Sequence, residues 1–187
     1  MTEPYTITRT EATVDARDYV SRYRDVPRIT AMCHGCPNYG KLWSCPPHEV
    51  DVSGLFDGFT RVTIHGTTIT FSEATRRQCA DAQQSRAMAS RAIEAAWHEL
   101  LPWLYEQECS HPGSLMLAGR CRLCRPLPCT RAEGQPCRHP ERMRHSLEAI
   151  GFDVVKTAHD ILGIDLEWSS DGLLTKHITI VTALFTP

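Results

Sequence analysis

The sequence predicts a single α+β domain over residues 1–187, with an antiparallel or mixed sheet, helices on one face of it and two cysteine-rich loops. Three observations lead there. Segments 61–71 and 177–185 have strand character, being apolar and rich in β-branched residues, and 113–119 is a short apolar run that reads as a buried strand. A long amphipathic segment at 84–108 separates the first two. Stretches 32–48 and 119–140 are dense in Cys, Pro and Gly and follow neither the helical nor the strand period.

Taken in order, residues 1–30 form an N-terminal helical extension, with Val14, Tyr19, Val20 and Tyr23 spaced among charges. The first cysteine loop, 32–48, reads MCHGCPNYGKLWSCPPH. Arg24, Arg28 and Lys41 flank it; solvated surface charge is the simpler reading, and an offset to thiolate charge is the other. In RVTIHGTTITF at 61–71, Val62 and Ile64 share one parity and Ile69 and Phe71 the other. A β-bulge at Gly66–Thr67 would absorb that slip. His65 reads as an ordinary strand histidine.

In the segment 84–108, Ile93, Trp97, Leu100, Leu101 and Leu104 fall on one helical face. Pro102 should kink or divide this helix, since an interior proline costs ~3 kcal/mol. The run GSLMLAG at 113–119 reads as a short buried strand leading into the second loop. After that loop, 140–150 reads as a helix ended by Gly151. Asp153 is a credible N-cap for a further helix that Gly163 ends. In HITIVTALF at 177–185, Ile178, Ile180 and Leu184 share one face. There is no internal repeat.

Composition limits the chemistry. The formal charge is −2 and the pI near 6.5, so no strong field favours nucleic acid or an anionic membrane. The polar N-terminus has no signal-peptide character, and no apolar run approaches the roughly 18 residues of a membrane span. A cytoplasmic location is expected, where persistent disulfides are unusual. Nine cysteines in that setting argue for metal or redox chemistry, and an odd number cannot all pair internally.

Seven of them fall in two groups. Cys121, Cys124, Cys129 and Cys137 are spaced C-x2-C-x4-C-x7-C, and Cys33, Cys36 and Cys45 are spaced C-x2-C-x8-C before Pro46 and Pro47. A C-x2-C turn aims two sulfurs the same way, and loops that cannot build their own core need something to hold them. Cys79 and Cys109 stand apart and read as buried thiols. Zinc would take two C-x2-C pairs, Cys33, Cys36, Cys121 and Cys124, and leave three cysteines unexplained. A [4Fe–4S] cluster would use all four of the second group, and the first group would hold another by three irons. Ligands could also cross between loops, with Cys45 serving the other cluster. Tyr39 and Trp43 are candidates to cover the centre, and His34 and His48 are weaker candidate ligands.

The motifs C-x2-C-x2-YG-x2-W-x-CPP at 33–47, AGRCRLC at 118–124, PCRHP at 136–140 and SLEAIGFDV at 146–154 resemble a prokaryotic family. It is an uncharacterised family described only as predicted metal-binding proteins. The resemblance runs from about residue 25 to the C-terminus. It implies metal binding through cysteines 33, 36, 45, 121, 124, 129 and 137, as iron–sulfur, and implies no particular reaction.

The expectation is an iron–sulfur protein with one or two [4Fe–4S] clusters, acting in electron transfer or a cluster-assisted redox or sulfur reaction. Its partner would be a redox protein or a small-molecule substrate, with no nucleic acid and no membrane. The alternative is a zinc-stabilised interaction module without catalysis.

Overall fold

A computed structural model describes residues 3–48 and 54–187; the first two residues of the expected N-terminal extension lie outside it. The frame is a four-stranded antiparallel sheet built around β2 (Arg61–Phe71), whose threonines and isoleucines suit extended backbone. On one side β2 pairs with β1 (Tyr5–Asp15), and on the other with β4 (His177–Thr186). The short β3 (Leu115–Leu117) pairs with the far edge of β4. The spatial order is therefore β1-β2-β4-β3.

The change of parity along β2 has a different cause from the expected bulge. Pairing runs unbroken through Thr10–Gly66, Arg9–Thr67, Gly66–Val181 and Thr67–Ile180. What changes is the covered face. Val62 and Ile64, with Val181, Ala183 and Phe185, pack under Tyr19, Phe152 and Ala158. Ile69 and Phe71, with Ile178 and Ile180, pack under Ala92 and Ala96. The first cover comes from α1 (Ala16–Tyr23) and α5 (Val154–Leu162), the second from α4 (Ala82–Ser110). The helices thus lie on both faces, not one, because each end of β2 buries a different side of the pleat. Gly66 sits where α5 ends: a Cβ there would lie 2.9 Å from Leu162 Cδ1.

The N-terminal segment is also corrected. Residues 5–15 are the edge strand β1, and the helix begins only at Ala16, capped by Asp15, which accepts from Asp18 N at 2.9 Å. The middle of β1 is solvent-exposed. Arg9 and Glu11 can stand there without penalty, and they hide the strand alternation that Thr6, Thr8 and Thr10 support.

The helix α4 runs through Pro102 undivided. Fully buried Leu100 and Leu104 flank the proline, and their burial at about 1.5–3 kcal/mol each offsets its ~3 kcal/mol cost. Asp81 caps the start, accepting from Gln83 N and Gln84 N at 2.8 Å. The short α3 (Glu73–Gln78), capped by Ser72, had no counterpart in the sequence reading.

Between 140 and 150 only a 3-10 turn forms, at Glu148–Ile150, and not the expected helix. Tertiary partners take the backbone and side chains instead: His145 O accepts from Ala118 N at 2.8 Å, and Arg144 pairs with Glu108. Gly151 ends the turn at φ 96°, Asp153 caps α5 by accepting from Lys156 N at 2.9 Å, and Gly163 ends α5 at φ 67°. Among the described residues, no helix is long and apolar enough to cross a membrane.

Candidate metal centre

The first cysteine group begins on a helix. In α2 (Val26–Cys33), Asp25 caps the start and Cys33 is the last residue, so the irregular segment starts one position later than Cys33. A succession of tight turns follows. Cys36 N donates to Cys33 O at 2.9 Å, Tyr39 N to Cys36 O at 3.1 Å, and Cys45 N to Leu42 O at 3.0 Å. Gly40, at φ 67°, donates to Pro46 O at 2.9 Å and closes the loop. Cys33 and Cys45 are half-buried and Cys36 is exposed.

The second group leaves β3 and is organised by its own short-range bonds. Arg125 N donates to Arg122 O at 3.2 Å, Gln135 N to Thr130 O at 3.0 Å, and the Thr130 hydroxyl to Pro136 O at 2.8 Å. A 3-10 turn at Thr130–Glu133 ends on Gly134 in the left-handed region. His139 N points to Cys137 Sγ at 3.4 Å. Cys121, Cys124, Cys129 and Cys137 are all half-buried, and all nine cysteines of the chain are free thiols.

Three side chains lock one loop onto the other. The Arg131 guanidinium donates to Leu42 O at 2.8 Å, Cys45 O at 2.5 Å and Pro47 O, while lying 5.1 Å over the Trp43 ring. Trp43 Nε1 donates to Gln135 O at 3.2 Å. Buried Ser44 accepts from Cys121 N at 3.4 Å through the hydroxyl that also lies 3.9 Å from Cys45 Sγ. The group of three and the group of four therefore meet at Ser44. From below, His145 Nδ1 faces Ser44 O at 3.2 Å, and His48 Nε2 donates to Ala149 O at 2.6 Å.

The electrostatics report the same two neighbourhoods. Burial pushes the Cys45 thiol up; the Ser44 hydroxyl opposes this, Cys36 and Cys33 add to it, and Arg120 draws it down. Burial likewise pushes Cys121 up, against the Leu123 backbone, and Cys124, Cys137 and Cys129 add to the rise. Cys33 is raised by burial, then by Cys36 and Glu148. Cys33, Cys45 and Cys121 are thus each held toward the neutral thiol. Among the described residues, no three His, Cys, Asp or Glu side chains stand where they would hold one metal ion.

The other sequence candidates separate clearly. Cys79 is buried beside Ile69 and Phe71, but Cys109 is exposed on α4 rather than buried. His65 is buried, 3.4 Å from Glu11 Oε2 and edge-on to Trp103 at 5.0 Å, far from a ligand role. His34 packs edge-on against Tyr39 at 4.7 Å, and the His48 Nε2 is engaged with a backbone carbonyl. Arg24 donates to Ile150 O, and Arg28, exposed at the surface, pairs with Asp153. Glu148 of the SLEA segment is exposed, and Ser146 caps that turn by accepting from Ala149 N.

Sequence reasoning missed Ser44 and Arg131. Ser44 carried a signal, since it stands between Trp43 and Cys45 inside the densest motif. Arg131 carried none, its carbonyl partners being 84 to 89 positions away.

The donor set suits a thiolate-held centre: free cysteines on irregular, mutually locked loops, with guanidinium groups close by. Comparison with curated proteins and with solved structures finds no match. The family sequence model for the predicted metal-binding proteins (DUF2284) matches residues 20–185, and the chain belongs to that family.

Proposed function

We propose that the chain is an iron–sulfur protein acting in electron transfer or in a cluster-assisted redox or sulfur reaction on a small molecule. Cys121, Cys124, Cys129 and Cys137 would hold one [4Fe–4S] cluster. Cys33, Cys36 and Cys45 would hold a second by three irons. The observation that supports this reading is the junction at Ser44, whose hydroxyl meets both Cys45 Sγ and the backbone N–H of Cys121, so that the loop with three cysteines touches the loop with four. A single tetrahedral zinc takes four of those seven donors and gives the other three no role.

When bound, such clusters accept and donate single electrons, and a cluster held by three thiolates offers an open iron to a ligand. The chain's own residues define the setting. Ser44 and Pro46 are buried in the first loop, and Trp43 of that loop stacks on Arg131 of the second. The Arg131 and Arg120 cations stand where anionic thiolates would gather. A nearby donor or cation stabilises the more reduced, more negative state.

Visible and paramagnetic-resonance spectra of anaerobically purified protein, before and after dithionite reduction, test this. Broad brown absorbance that bleaches, with a reduced-state resonance that loses one cluster's share in the Cys124→Ser variant, is the expected result. Colourless protein silent in both states contradicts it.

A further inference from the structure

Beside Cys121 lies a recess built from three directions. The helix α4 contributes Trp97, Leu101 and Tyr105, the chain leaving β3 contributes Arg120 to Leu123, and the segment before α5 contributes Arg142 and Arg144. Its free volume is about 20 Å³, on the scale of one or two waters, so it admits the head of a molecule and not its body.

Four arginines line it, and two are stacked and ion-paired. Arg122 lies 5.9 Å from the Trp97 ring centre and pairs with Glu94. Arg144 lies 5.7 Å from the Tyr105 ring centre and pairs with Glu108 at 2.7 Å. Arg142 covers the same tyrosine at 5.2 Å, and Tyr105 Oη donates to Arg142 O at 2.6 Å, tying that residue to the ring. Neither Arg120 nor Arg142 has a carboxylate partner among the described residues. The Arg122 Nε is buried and has no hydrogen-bond partner there either.

A guanidinium laid on a ring turns its N–H edge sideways, toward an acceptor in the plane. An unpaired buried donor is costly. Excess cation and apolar walls converge on one small recess, and one of the residues that line it carries an unmet donor. We infer that this recess binds the oxyanion head of a small molecule, a carboxylate or a phosphate, and holds it beside Cys121. The site stands on the chain's own side chains, and the inference is the same for any metal the cysteines take.

Calorimetric titration of anaerobically purified full-length protein with acetate, with inorganic phosphate and with neutral acetamide tests the site. Saturable one-to-one binding of acetate or phosphate, and none of acetamide, is expected; the preferred anion identifies the head group. Arg120→Gln and Arg142→Gln, both exposed and outside the core, should each weaken that binding about tenfold or more. Arg86→Gln, elsewhere on α4, should leave it unchanged. Binding of neither anion, equal binding of acetamide, or full affinity in both pocket variants would overturn the inference. Iron measured on the same samples separates this from the cluster reading. Anion binding to iron-free protein keeps the pocket and removes the clusters, and iron-loaded protein that binds no anion does the reverse.

Discussion

The sheet frame and the cysteine loops are held together in different ways. In the frame, Tyr19, Phe152 and Phe185 are at most 1 % exposed, with Tyr19 stacked on Phe152 at 4.9 Å between ring centres. That is apolar burial, and it needs no added group. In residues 119–140 only Thr130 is buried, and in 34–48 only Ser44 and Pro46. The loops rely on Arg131, Trp43 and Ser44, that is, on directed bonds between polar groups. Packing can make the frame fold by itself, whereas loops joined at a few points gain most from a ligand that all their thiols share.

The sharpest way to break the comparison is to remove thiols. The double variant Cys121→Ser, Cys124→Ser should lose about four irons per chain while its far-ultraviolet circular dichroism stays that of the wild type. Loss of the frame's signal would show that the frame depends on the centre. Next comes the converse. Phe152→Ala should destabilise the chain by about 3–5 kcal/mol in denaturant unfolding and take frame and loops down together.

Arg131→Gln tests the clamp alone. It should cost roughly 2 kcal/mol, and hydrogen exchange should speed up in 36–47 while β2 remains protected. Equal acceleration in both would mean that the loops are not a separate unit. The smallest effect is the pH dependence of the frame. Burial holds His65 below its ordinary value, against Glu11 on β1, with Arg9 adding to the depression, and Trp103 of α4 and Thr182 of β4 close the site. The folded state then binds fewer protons than the unfolded state just below about pH 6.5. Stability should therefore be full above that value and fall as the pH drops through it. Urea midpoints at about pH 5 and about pH 7.5 should differ less in His65→Gln than in the wild type.

Much of this was legible locally. The strands at 61–71 and 177–185 and the caps Asp153 and Gly163 could be read because each signal lies within a few residues. β1 was not, because an edge strand can carry charge along its exposed middle. The side of the sheet each helix covers was not legible either: the parity change in β2 records two covers, and a bulge would leave the same trace in sequence. The cysteine spacing announced the candidate site, but its closure by Arg131 depends on carbonyls more than eighty positions away.

The central claim, that the seven loop cysteines hold iron–sulfur clusters, is tested most directly by iron, zinc and acid-labile sulfide per chain in protein never exposed to air. About eight irons and eight sulfides, falling to about four of each when Cys124 is replaced by serine, are predicted. Stoichiometric zinc with no sulfide would contradict it.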